Sequence, residues 1–288
     1  MAPPSPPTGS TGPGRRLAVL AGVVLAVLVF SGLAGPAAAA VPLRSHEFNL
    51  AGWKMNRGEV APARTVVARV TQANPRPVVV SLSEVCSSTN LLLRGQWQQI
   101  ERGLRPLGYA TAFRPSVTTR IGSRCDRFGN GLAVLGHMDE VVGRTYGAQE
   151  QTSSITELRN LVCARATTTA GGRLAACSTH LVPRTETARA QAAEALSFVQ
   201  ERFAGLRRLV GGDFNLPPGD VGLDGWYGSY LEADGSRRTG AQPTLDSGLR
   251  GDYVFGDKAS FVPPTTAVVT PVDVSDHHYY DGSFPTAS

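Results

Sequence analysis

Apolar and polar positions along this chain switch repeatedly between a strand-like and a helix-like period. Arg-Pro-Val-Val-Val-Ser-Leu at 76–82 is an apolar run of strand length. Residues 90–106 place Leu91, Leu92, Ile100 and Leu104 among their apolar positions and predict a helix. Residues 130–136 and 159–167 predict strands, and the second pairs with 173–181 around a turn at Gly171-Gly172. Thr185 is a candidate cap for a helix with the stripe Ala188, Ala192, Ala195, Val199 and Phe203, and Gly205 suits its end. Short strands follow at 209–212, 253–255 and 267–269. Residues 217–250 are rich in Gly and Asp and predict long surface loops with a short helix near 226–231. There is no internal repeat. Hairpins mixed with helical crossovers imply a mixed sheet or a pair of sheets, hence an α/β fold.

The first forty residues do not share this pattern. Arg15 and Arg16 precede an uncharged run from 17 to 40 that ends in Gly-Pro-Ala-Ala-Ala-Ala. A basic start, an apolar stretch and small residues at Ala38 and Ala40 predict a signal peptide over 1–40, cleaved after Ala40. An uncleaved membrane anchor is the competing reading, since the run approaches the length needed to span a bilayer. The Arg pair also permits twin-Arg export. The expected product is a secreted chain of residues 41–288, with no other segment apolar enough to cross a membrane.

This trimming changes the charge. The full 288 residues carry a net +5 from 28 basic and 23 acidic groups, 26 of the basic ones being Arg. Without Arg15 and Arg16 the balance is 26 against 23, or +3. Global basicity is therefore weak support for a polyanion partner, and the arginines are spread along the chain. At 42% apolar residues the composition excludes bulk disorder and leaves enough for one domain, expected to be a monomer.

Four cysteines remain, none in a C-x-x-C pair, which argues against a zinc knuckle. In an exported chain they predict disulfides. Cys163 and Cys177 lie symmetrically about the 171–172 turn, within reach of each other across the hairpin. That leaves Cys86 with Cys125.

Polar residues gather at predicted strand ends. Asn49 follows the first strand candidate and Glu84 lies just beyond the 76–82 run; His180 ends the hairpin, Asp213 and Asn215 follow 209–212, Asp252 begins 253–255, and Asp276-His277 follows the last strand. Ligands in open α/β sheets bind at strand ends. Glu84 and Asn49 offer the oxygen ligands that Mg²⁺ accepts. Asp213 and Asn215 share one face of a strand. Asp252 with His277 forms a carboxylate–imidazole pair that sets the tautomer and raises basicity. Arg159 offers a planar fork for phosphate oxygens. Each residue alone also has an ordinary reading as a turn, cap or surface group.

Taken in order, Phe48-Asn49, Leu82-Ser83-Glu84-Val85, Ser178-Thr179-His180-Leu181, Gly211-Gly212-Asp213-Phe214-Asn215, Gly251-Asp252-Tyr253-Val254-Phe255 and Ser275-Asp276-His277 resemble the endonuclease/exonuclease/phosphatase superfamily, which includes deoxyribonucleases and neutral sphingomyelinases. The resemblance covers about 44–282. It implies a four-layered α/β sandwich, with two mixed, mostly antiparallel sheets face to face and helices outside. It implies Glu84 as principal metal ligand with Asn49 and Asp276 nearby. It further implies Asp213, assisted by Asn215, as the group that orients water, His277 paired to Asp252 on phosphate, and His180 and Arg159 as further phosphate contacts. Two departures stand out: Ser83 where Gln is usual, and His278-Tyr279-Tyr280 where a small or apolar residue is usual.

The expected activity is that of a Mg²⁺-dependent phosphodiesterase, with Mn²⁺ or Ca²⁺ as alternative metals. A nuclease is the first reading. A sphingomyelinase-like phospholipase C acting on a phospholipid headgroup, or a phosphomonoesterase, is the second; Trp226-Tyr227 and Tyr279-Tyr280 are its candidates for an exposed apolar edge. A catalytically silent binding module is the third, and the complete residue set opposes it.

Overall fold

The computed structural model describes residues 42–287 except 91, 93, 118–119, 152–155 and 236–239. The expected leader 1–40, its cleavage point and Leu91 lie outside the described residues.

One sheet is built from β1 (Leu43–Asn49), β2 (Val79–Ser87), β3 (Tyr109–Val117), the first half of β4 (Arg127–Thr145), β10 (Thr266–Thr270) and β11 (Tyr279–Phe284). The other uses the second half of β4, β5 (Asn160–Thr168), β6 (Arg173–His180), β7 (Arg207–Asp213), β8 (Tyr230–Glu232) and β9 (Asp252–Asp257). The strand path is β10-β11-β1-β2-β4-β5-β6-β7-β9-β8, with β3 also on β4. Only β1–β2 and β6–β7 are parallel pairs among those described.

The 19 residues of β4 join the two sheets. Its first part pairs with β2 and β3, and from Gly136 onward it pairs with β5. Gly136 sits at φ +137 with the Thr167 carbonyl 2.2 Å from where a Cβ would stand, so the crossing point admits no side chain.

Apolar residues on the two inner faces, including Leu132, Val134, Val162, Ala176, Leu209 and Val254, pack into one core. Outside the first sheet lie α1 (Ala61–Gln72) and α2 (Gln96–Leu104), covering Phe48, Val80 and Leu82. Outside the second lie α3 (Thr185–Arg202) and α4 (Asp224–Ser229), covering Leu161, Val210 and Phe255. The result is the expected four-layered α/β sandwich.

Several boundaries differ from the sequence pattern. The helix expected over 90–106 begins at Gln96. The Asn90 side chain accepts from Leu92 N at 2.9 Å, a local turn that competes with helix, and Leu92 is 92% exposed. Arg184, not Thr185, occupies the cap position of α3, with no side-chain cap bond. Helix α1 has no counterpart in the sequence reading; its buried stripe is short, Pro62, Ala63, Val66 and Val70. Strands β3 and β11 are also unanticipated, since their stability comes from pairing with β4 and β1. Within 217–250 the loops are anchored by Trp226, which is fully buried and donates to Ala192 O at 3.0 Å.

Both expected disulfides are present. Cys163 and Cys177 are directly opposed in the β5–β6 register, with Cα atoms 4.1 Å apart. Cys86 and Cys125 close the other bridge.

Candidate active site

Register assembles half of the site. His180 at the end of β6 pairs with Asp213 at the end of β7, and Asp213 pairs with Asp252 at the start of β9. Three chemically active residues thus form one row across three strands. The facing sheet contributes Asn49 at the end of β1 and Glu84 from β2. Glu84 sits in a register shift between Leu82 and Val85 and has φ +53, a left-handed conformation unusual for a residue with a side chain. Asn215 has φ +52 beside Asp213. Two such residues in one cleft mark a place where the fold holds backbone strain for a purpose.

The Glu84 bulge is held from below. Gln96, fully buried at the start of α2, accepts from Cys86 N at 2.9 Å and donates to Glu59 O at 2.9 Å and Gly52 O at 3.4 Å. Gly52 N in turn donates to Glu84 O at 3.0 Å. A Cβ on Gly52 would stand 2.2 Å from that same carbonyl oxygen, so only glycine permits the approach.

The side chains converge on Asp213. Asn49 Nδ2 donates to Asp213 Oδ2 at 3.1 Å and to Glu84 Oε1 at 3.3 Å, while Asn49 Oδ1 accepts from Ala51 N at 2.9 Å. His180 Nε2 lies 3.4 Å and His277 Nε2 3.9 Å from the same Asp213 oxygen. Asp213 Oδ1 accepts from Asn215 N at 2.9 Å, and Asn215 Nδ2 donates to Leu181 O at 2.9 Å. His277 Nδ1 is 2.8 Å from Asp252 Oδ2. Arg159, just before β5, contacts His180 Nε2 and pairs with Glu157 at 3.0 Å.

Asp276 is not drawn into this cluster. Its side chain is 31% exposed and pairs with Lys54 at 3.2 Å, on the rim beside His277. Glu157, Gln96 and Lys54 are the supporting residues that sequence reasoning missed; Lys54 and Gln96 reach Asp276, Gly52 and Glu59, far away in the chain, while Glu157 pairs with Arg159 only two residues on.

The two histidines differ in charge. Burial would depress the His277 imidazole, but the Asp252 carboxylate outweighs it and holds the group up to about 10, so it is a cation at neutral pH. Burial pushes His180 well below its ordinary 6.5, and the Arg159 guanidinium reinforces the effect, so it is neutral. With Arg159 donating to its Nε2, its proton belongs on Nδ1. Burial, with Asp252 nearby, raises Asp213 to about 7. Beneath them Glu47 is fully buried without a hydrogen-bond partner for either oxygen, and burial raises it well above the usual carboxylate range.

Two places could hold a cation. Asp213, Asp252 and His277 offer ligand atoms within 4.8 Å of one another. There, however, the imidazole is protonated and already bound to Asp252, which suits it poorly to a metal. Glu84 fits better: it is an oxygen donor whose side chain stays 18% exposed to the cleft, and Asn49 lies beside it with its Nδ2 on Glu84 Oε1 and its Oδ1 on Ala51 N.

The pattern of the Endonuclease/Exonuclease/phosphatase family matches residues 51–277, a span that includes every residue described above except Asn49 and Glu47. Among solved structures, the human Nocturnin catalytic domain with bound sulfate anion is similar at TM-score 0.65 and 19% identity, covering 85% of this chain and 95% of that one. D. rerio TDP2 complexed with single strand DNA product is similar at 0.60 and 18%, covering 84% and 98%. An endonuclease/exonuclease/phosphatase from Beutenbergia cavernae is similar at 0.63 and 20%, covering 86% and 72%. At these identities the likeness is one of fold. No curated protein matches the chain in sequence.

Proposed function

Since the chain belongs to the endonuclease/exonuclease/phosphatase family of phosphoester hydrolases, we propose that it is an exported, divalent-metal-dependent phosphodiesterase whose substrate is nucleic acid. The observation that carries the chemistry is the meeting of Asn49, His180 and His277 on one oxygen of Asp213. Asp213 as carboxylate aligns a water and takes its proton. The His277 cation donates to a non-bridging phosphoryl oxygen, held in orientation by Asp252. Asn215 supports Asp213 through its backbone N–H. Arg159, held on the Nε2 of neutral His180, contributes guanidinium donors around the same centre as charge develops. Water attacks phosphorus in line and the leaving oxygen departs on the far side. Glu84, with Asn49 beside it, would hold a divalent cation such as Mg²⁺, which would supply neutralisation of the negative charge that develops in the transition state. Asp276 stays on the rim, paired with Lys54.

The lipid reading loses support. Its candidate membrane edge, Trp226-Tyr227 and Tyr279-Tyr280, is buried in the core. The departure at 278–280 therefore serves packing: Tyr279 stacks on Phe48 at 4.0 Å, and Tyr280 accepts from Arg250 at 2.6 Å.

Export is supported by the leader pattern and the two disulfides. Among the described residues no helix is long and apolar enough to cross a membrane. N-terminal sequencing of protein from culture medium should read Val41 as the first residue. For activity, plasmid DNA, RNA, sphingomyelin vesicles and a phosphomonoester are incubated with Mg²⁺ and with chelator. Nucleic acid cleaved only with metal is the expected result; phosphocholine release with intact DNA would replace it with the lipid reading.

A further inference from the structure

The arginines that are scattered in sequence are not evenly neutralised in space. On the α3 side each is matched: Arg184 with Glu150 at 3.3 Å, Arg189 with Asp220 at 2.8 Å, Arg202 with Glu140. On the α1–α2 side, Arg64, Arg94 and Arg102 are exposed and have no carboxylate partner among the described residues. Arg105 has only Glu101, at 3.8 Å. These four arginines line two adjoining concavities that share Arg102. One, of about 700 Å³, also meets Gln98 and Glu101; the other, of about 400 Å³, also meets Gln99.

The start of α2 packs close to the loop at the cleft rim. A Cβ on Gly95, next to Arg94, would stand 2.8 Å from Arg124 O, and one on Gly58 would stand 3.2 Å from Arg124 Cβ. The 51–58 loop that ends there carries exposed Lys54 and Arg57, with Lys54 on Asp276 beside His277. Basic side chains thus recur from the active-site rim to the outer face of α2: Lys54, paired with Asp276, then Arg57, then Arg124, paired with Glu59 at 3.7 Å, then Arg94.

We propose that this α1–α2 face is a docking track for the phosphodiester backbone of nucleic acid extending beyond the scissile bond, an inference that rests on the nuclease reading above. Guanidinium forks match phosphate oxygens, and backbone contacts of this kind position a polymer without reading its sequence. An anionic membrane is the less suitable occupant, because α1 and α2 expose no large apolar side chain of the kind a membrane-lying helix needs, and the exposed Leu92 and Met55 stand singly on the flanking loops.

The test uses Arg64→Gln, Arg102→Gln and Arg105→Gln together, in the full protein. Binding to a fluorescent DNA duplex of about 30 base pairs, long enough to pass beyond the cleft, is measured in a Glu84→Gln background so that the duplex survives. The triple variant should bind roughly tenfold or more weakly at 0.1 M salt, and the slope of log affinity against log salt should shrink by about 2–3. Hydrolysis of bis(4-nitrophenyl) phosphate, too small to reach the track, should be unchanged when the triple variant is made in the active protein. Unaltered duplex affinity and salt slope overturn the proposal, as does a matching fall in small-diester turnover. Arginine-dependent binding to phosphatidylserine vesicles with unaltered duplex binding also overturns it, in favour of a membrane. A duplex bound through these arginines by a wild type that cleaves no phosphodiester would sustain the track and sink the catalytic reading.

Discussion

Asn49 donates its side-chain amide to the Asp213 carboxylate at 3.1 Å, although the two residues are 164 positions apart and stand on facing sheets. The same amide reaches Glu84. The site therefore exists only when the two sheets close, and Asn49 is the polar tie between its two halves. Asn49→Ala leaves two carboxylates without that donor. Activity should fall about 10–100-fold, with a higher metal requirement. A variant with the parent's metal titration would remove Asn49 from the site.

Gln96 is expected to control metal activation without touching substrate. Gln96→Ala deprives Cys86 N, Glu59 O and Gly52 O of their partner beneath the Glu84 bulge. Thermal or urea unfolding should report a loss of about 1–3 kcal/mol. The metal concentration for half activity should rise about 10–100-fold, while turnover at saturating metal is largely kept. Lost stability with unchanged metal dependence would make Gln96 merely structural.

Activity should follow a bell-shaped pH profile. The acidic limb comes from Asp213, which must lose its proton and is held up to about 7 in the metal-free site; bound cation moves that limb lower. The alkaline limb comes from His277, protonated up to about 10. Asp252→Asn removes the counter-charge, so the alkaline limb should move down. The sign for folding follows from the raised value. The pair's stabilising contribution is fully present below about 6.5 and is lost as pH rises through about 10. Asp252→Asn should accordingly lower the melting temperature at pH 6 more than at pH 10; an equal loss at both would contradict the charge assignment.

The two disulfides should separate stability from chemistry. By loop length, replacing Cys86 and Cys125 with Ser, separated by 39 residues, should cost about 4 kcal/mol, and replacing Cys163 and Cys177, separated by 14, about 3 kcal/mol. Only the first pair adjoins the Glu84 bulge. Metal activation should weaken in that variant alone, when both are assayed well below their melting temperatures. Identical metal titrations would place the Cys86–Cys125 bridge outside the site's support.

Much of this was legible in the chain. Polar residues that break apolar runs mark Glu84, His180, Asp213, Asp252 and His277, and register aligns His180, Asp213 and Asp252 at the strand ends, whereas Glu84 lies within β2 at its bulge and His277 in the loop before β11. The hairpin symmetry of Cys163 and Cys177 determines their pairing. Local sequence could not reveal Gln96, which donates to Gly52 and Glu59 far away in the chain. It could not reveal α1 or β11, which are stabilised by the surfaces they cover and pair with rather than by strong local periodicity. Nor could it tell that Asp276 faces Lys54 on the rim, or that Tyr279 and Tyr280 turn into the core. Charge followed the same division. The sequence determined how many arginines there are and that they are spread along the chain. Tertiary structure decided which find carboxylates, because ion pairing depends on distance in space, and among the described residues it left Arg64, Arg94 and Arg102 on the α1–α2 side without one.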